Sequence, residues 1–95
     1  MILRVRFTAE AKTQYDQLPA AKLKKVKRAL GYLQSNPRYP SLHTHVYGGY
    51  SNPYDSNQPV FEAYAENVTP GAYRLFWCYG PERLQLTVLA ITPHP

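Results

Sequence analysis

The chain has 95 residues, 44% of them hydrophobic, with nine Tyr, three Phe, one Trp, a single cysteine and a net charge of +5. That length suits one domain spanning 1–95 and the apolar share argues against disorder, while one cysteine, Cys78, excludes an internal disulfide scaffold. No apolar run approaches a membrane span, and Met1 to Arg4 is too short and too soon charged to open a signal peptide, so a soluble cytoplasmic protein is expected.

Ile2 to Phe7 alternates, with Leu3, Val5 and Phe7 on one side and Arg4 and Arg6 on the other, as in a half-buried strand. Thr8 is a good N-cap, and Glu10 falls in the first turn of a helix, where the dipole favours a carboxylate. Ala11, Tyr15 and Leu18 form one face of that helix, and Pro19 either ends it or starts the next. Leu23, Val26, Leu30 and Leu33 mark a second amphipathic helix, stopped at Asn36-Pro37, with Lys24, Lys25, Lys27 and Arg28 off the apolar stripe. The short link between the two predicts an antiparallel hairpin. Nine of the eleven Lys and Arg lie in residues 1–38, against two of the six acids. Such a basic half attracts polyanions or an acidic protein, unless it is only a solvated face.

Ser41 to Tyr47 reads as a strand, with Leu42, Thr44 and Val46 on one face and His43, His45 and Tyr47 on the other. Gly48 to Pro59, rich in Gly, Pro, Asn and Tyr, reads as a long loop. Three further strands follow: Val60 to Glu66, Tyr73 to Tyr79 and Leu84 to Ile91, separated by turns at 67–72 and 80–83 that force antiparallel pairing. The order predicts an α+β fold: an N-terminal strand, an antiparallel helix hairpin, then a curved, mostly antiparallel sheet of three to four further strands, with the helices on one face. Phe61, Ala63, Ala65, Leu75 and Trp77 are expected to face the helices. Glu62, Tyr64, Arg74, Phe76 and Cys78 then share the open face, because strand residues alternate. A lone Arg in the middle of an aromatic strand asks for a reason.

Ser35-Asn36-Pro37-Arg38, Tyr73-Arg74-Leu75-Phe76-Trp77 and Leu89-Ala90-Ile91-Thr92-Pro93-His94, in this order of elements, resemble the RelE/ParE superfamily of type II toxins. The resemblance implies a β-α-α-β-β-β fold and a small toxin neutralised by a cognate antitoxin. In the RelE-like branch, which is favoured here, it implies a ribosome-dependent endoribonuclease that cleaves mRNA without a metal or other cofactor. A ParE-like gyrase inhibitor with no chemistry of its own, or a non-toxic RNA-binding domain on the same scaffold, is the alternative. The chain departs from many RelE-like toxins in carrying His43 and His45 after the helix hairpin, and in setting its terminal His94 between Pro93 and Pro95.

The residues supply the chemistry that metal-free RNA cleavage requires. A base takes the 2′-hydroxyl proton, an acid protonates the leaving oxygen, and a cation meets the charge on the phosphorane. Histidine suits either proton-transfer role, and the planar guanidinium of arginine suits the third. Arg74 is therefore assigned to the phosphate, His94 to the acid, and His45 or Glu62 to the base, although Glu62 can instead pair with Arg74 across adjacent strands. Lys24, Lys25, Lys27, Arg28, His43 and Tyr47 are candidates for binding RNA, the aromatics by stacking on bases. His43 and His45 share a strand face, but no Cys or acid at ligand spacing completes a metal site.

Overall fold

The computed structural model describes residues 2–67 and 70–94. The elements are β1 (Arg4–Phe7), α1 (Ala9–Asp16), α2 (Ala20–Ser35), a 3-10 turn at Pro40–Leu42, β2 (His45–Tyr47), β3 (Val60–Tyr64), β4 (Tyr73–Tyr79) and β5 (Gln85–Pro93). Thr8 caps α1 as expected, its hydroxyl accepting from the Ala11 amide, and Pro19 stands at the N-cap of α2. Asn36 caps the other end of α2.

The strands form one sheet in the order β1-β5-β4-β3-β2. The β3-β4-β5 meander is antiparallel, as the short turns require, and the turn over 67–72 includes Val68 and Thr69, which lie outside the described residues. β1 pairs with β5 in parallel, which a connection through two helices permits. Both helices cover one face. Their Ala11, Val26, Ala29 and Leu33 pack with Phe61, Ala63, Ala65, Leu75 and Trp77, the five sheet residues expected there. Phe61 stacks on Trp77 with ring centroids 4.8 Å apart.

The last strand resists a simple alternation because it bulges. Trp77 pairs with Val88 while Phe76 pairs with Ala90, so Leu89 is an extra residue. Val88 and Ile91 consequently both face the helices, whereas Leu89 joins Phe76 and Cys78 on the other side. Helix α1 and its cap serve the irregular backbone: Thr8 Oγ1 donates to the Leu89 carbonyl at 3.1 Å, and the Ile91 amide donates to Gln14 Oε1 at 2.7 Å.

Two sequence expectations fail here. Residues 41–44 are not strand: Leu42 is drawn into the core by the 3-10 turn, and His43 takes a left-handed conformation (φ 48°), leaving only His45–Tyr47 to pair with β3. The second sheet face is not open either. Glu62, Arg74, Phe76 and Cys78 are all buried: the 48–59 loop folds back over the Phe76 end, while His45 and His94 cover Glu62 and Tyr64 covers Arg74. Tyr47 and Tyr50 lie on the Phe76 ring at 4.7 and 5.1 Å, and the Tyr54 hydroxyl oxygen accepts from Thr87 Oγ1 at 3.2 Å. Gly49 lets the loop pass close to β2, since a Cβ there would run into the outer edge of the Tyr47 ring. Burial under this cover pushes the Cys78 thiol up to about 11, so it is a packing residue and not a nucleophile.

Candidate active site

Strand pairing places His45 directly opposite Glu62. The Glu62 carboxylate is buried, its side chain 3% exposed, and it meets three basic groups. His45 Nε2 lies 2.7 Å from Oε1, His94 Nδ1 lies 2.9 Å from Oε2, and Arg74 Nε lies 3.8 Å from Oε2. A carboxylate withdrawn from water at this depth needs such partners. The two imidazoles form the outer layer, 45% and 53% exposed. His94 is fixed although it follows the last strand: its amide donates to the Ala72 carbonyl at 2.8 Å, which extends the β4–β5 ladder past Pro93.

The two histidines are engaged differently. His94 uses Nδ1 on Glu62, and among the described residues no hydrogen bond holds its Nε2. His45 uses both nitrogens, Nε2 on Glu62 and Nδ1 on the His43 carbonyl at 2.6 Å. The left-handed turn at His43 is what aims that carbonyl back at the ring two residues on. Glu62 thus orients two imidazoles at once, each by one nitrogen.

Arg74 lies beneath. It is 4% exposed, with Nη1 donating to the Glu66 carbonyl at 2.8 Å and to the Tyr73 carbonyl at 3.2 Å. The Tyr64 ring covers the guanidinium at 3.7 Å, and among the described residues Nε has no hydrogen bond. The open face expected for Arg74 is therefore corrected. Its Nη1 is committed to the backbone, and the guanidinium is buried beneath Tyr64 and beside Glu62. Its pairing with Glu62 is diagonal, because the residue opposite Arg74 is Tyr64.

Of the residues expected to bind RNA, Lys25, Arg28 and His43 line one cleft between α2 and the end of β3. Lys24 is exposed on the same helix, whereas Lys27 lines a different hollow beside Val5, Phe7 and Tyr15. Tyr47 is packed against Phe76 and Tyr50 and is no free stacking platform.

Glu66 and Tyr64 were missed in the sequence. Glu66 ties the sheet to α2: its carboxylate accepts from Lys22 at 2.8 Å, from Lys25 at 3.4 Å and from the Tyr73 amide at 2.8 Å. An acid at the end of a strand facing a lysine-rich helix was the available signal. Burial pushes the Glu66 carboxyl up, but the Lys22 and Tyr73 hydrogen bonds and the Lys22 charge outweigh it and hold the group below its ordinary value of 4.5. A carboxyl depressed in the folded state stabilises the fold above its unfolded value and loses that contribution as pH falls. Glu66→Gln is therefore expected to cost about 1.5–3 kcal/mol at neutral pH, the range for hydrogen bonds to charged groups. Urea denaturation against pH should show the gap between parent and variant closing below pH 4.5.

No protein-family model matches the chain, and no curated protein matches its sequence. Solved structures do match. A chain of the archaeal RelE–RelB complex from Pyrococcus horikoshii superposes with a TM-score of 0.70 at 15% identity, over 98% of this chain and 96% of that one. The YoeB/ParE toxin from Agrobacterium tumefaciens gives 0.71 at 11% identity, over 98% and 100%. A RelBE toxin–antitoxin complex of Mycobacterium tuberculosis gives 0.66 at 22% identity, over 99% and 100%. The chain has the RelE/ParE toxin fold. In this RelE/ParE sheet the His45–Glu62–His94 cluster lies at the meeting of the β2–β3 pair with the tail of β5, on the face away from the helices. No helix among the described residues is long and apolar enough to cross a membrane.

Proposed function

We propose that the protein is a cytoplasmic toxin of a type II toxin–antitoxin system, a ribosome-dependent endoribonuclease that cleaves mRNA without a metal. The observation that carries this reading is the buried Glu62 carboxylate orienting two exposed imidazoles. A gyrase-binding inhibitor has no use for such an arrangement. Support for a toxin also comes from the fold shared with RelE and YoeB/ParE toxins, and support for a cognate antitoxin from the RelE–RelB complex among the matching structures.

His94 is the general acid. With Nδ1 held by Glu62, it presents Nε2 outward to the 5′-oxygen that leaves. His45 is the base. Its Nδ1 carries the proton donated to the His43 carbonyl. The ring swings off that carbonyl, a contact weaker than its charge-assisted bond to Glu62, and loses this proton to solvent. The freed Nδ1 lone pair then takes the 2′-hydroxyl proton while Nε2–H stays on Glu62. The 2′-oxygen attacks phosphorus, the P–O5′ bond breaks, and a 2′,3′-cyclic phosphate and a 5′-hydroxyl end result. Arg74 holds Glu62 in place from below and does not grip the phosphate itself.

Expression of the chain alone should arrest growth, and a co-expressed antitoxin should restore it. Programmed ribosomes should yield cleaved mRNA ending in a cyclic phosphate, and a 2′-deoxy nucleotide at the cleaved position should block the reaction entirely. Double-strand DNA breaks with intact mRNA would instead establish the gyrase reading.

A further inference from the structure

The cleft between α2 and the end of β3 has a volume of about 420 Å³. Lys25, Arg28 and Tyr32 line it from α2, two cations and an aromatic ring, and His43 and Tyr64 supply further aromatic surface from the sheet side. We propose that this cleft is a subsite for one unpaired nucleotide of single-stranded RNA, its phosphate between Lys25 and Arg28 and its base on the aromatic wall. The proposal rests on the RNA-cleaving reading above and names where a nucleotide flanking the scissile bond is held.

Four features favour a nucleotide over a purely anionic or purely apolar ligand. Arg28 makes no ion pair among the described residues, so its charge is available. Lys25 is half committed: it reaches Glu66 at 3.4 Å, whereas Lys22 holds the same carboxylate at 2.8 Å. A phosphate can therefore draw Lys25 away while Glu66 stays neutralised by Lys22 and the Tyr73 amide. The aromatic wall is stiff. Tyr32 stacks on Tyr39 at 4.1 Å, with the rings 13° from parallel, and His43 leans on Tyr64 at 5.0 Å. Stiff aromatic surface receives bases without sequence preference.

The fourth feature is position. Tyr64 lines the cleft and also covers the Arg74 guanidinium at 3.7 Å, while the His43 carbonyl holds His45. One wall thus serves both the cleft and the catalytic cluster. A nucleotide seated in the cleft lies against Tyr64 and His43, two residues that touch His45, so the next stretch of its strand is led toward the His45 side of the cluster. Occupancy also bears on His43, whose carbonyl His45 must release to act as base.

The test uses the full chain and a 5′-phosphorylated 2′-O-methyl RNA trinucleotide, which cannot be cleaved, titrated by calorimetry at several salt concentrations. The Lys25→Gln/Arg28→Gln double variant should bind at least tenfold more weakly, and its salt slope should flatten by about 0.7, the value for one phosphate contact on a single strand. Lys27→Gln, on the other side of α2, should bind as the parent does. An abasic trinucleotide should also bind more weakly, by about tenfold. The probe cannot be cleaved, so its binding is read without turnover, and loss of the subsite and loss of cleavage are separate results. Parent-like binding by the double variant, equal weakening by Lys27→Gln, no loss on removing the bases, or no binding of the trinucleotide by the parent would overturn the proposal.

Discussion

Replacing His94 with Ala is expected to slow mRNA cleavage on programmed ribosomes by about 10²–10⁴-fold, the contribution of a positioned acid or base. The cause is local. His94 has one nitrogen on the buried Glu62 carboxylate and its ring is half exposed, so removing it deletes a proton donor and little packing. Circular dichroism and ribosome affinity should be unchanged. The pH–rate profile of the parent should be bell-shaped, and the variant should lose the limb that reports the acid. Glu62→Gln should produce a comparable loss by another route, because an amide no longer holds both imidazoles as a carboxylate does. Were His94→Ala to cleave at the parental rate with an unaltered profile, the assignment of the acid would be wrong.

Arg74→Ala is expected to lower the stability of the fold by about 3–5 kcal/mol, as when one partner of a buried charged pair is removed. A domain of this size is stable by only about 5–14 kcal/mol, so the loss is a large share. Four groups lose a partner together: the Glu62 carboxylate at 3.8 Å, the Glu66 carbonyl at 2.8 Å, the Tyr73 carbonyl at 3.2 Å, and the Tyr64 ring that lies over the guanidinium. The cost follows from burial: on an open face, as the alternation of β4 suggested, the side chain would be dispensable to the fold, whereas here it is 4% exposed. Equilibrium unfolding in urea checks it. Arg74→Lys should recover part of the stability through its charge, but not the contact to the Glu66 carbonyl with the geometry of a guanidinium. A variant as stable as the parent would show that Glu62 does not depend on the charge beneath it.

The position of the catalytic candidates was partly legible. The period of two in β3 and β4 puts Glu62 and Arg74 on one side, and the meander brings the tail of β5 back beside them. The same periodicity carried no information about what lies above a face. The 48–59 loop follows no period, so its contact with Phe76 could not be read from it, and no strand period shows that His45 and His94 close over Glu62 or that Tyr64 lies over Arg74. His43 shows another limit. Alternation made it a strand neighbour of His45, whereas a single left-handed residue turns its carbonyl onto the His45 ring.

The sequence by itself determined the order of elements, the helix-facing core and the division of each strand into two faces. These follow from local rules: capping, helical and strand periodicity, and turns too short for anything but antiparallel pairing. Only the tertiary structure decided that β1 lies parallel beside β5, that Leu89 is a bulge, and that the basic residues of α2 divide between two surfaces. It also decided the convergence of His45, Glu62 and His94, which depends on the register of four strands at once. Register is set by packing between segments far apart in the chain, and no local pattern contains it.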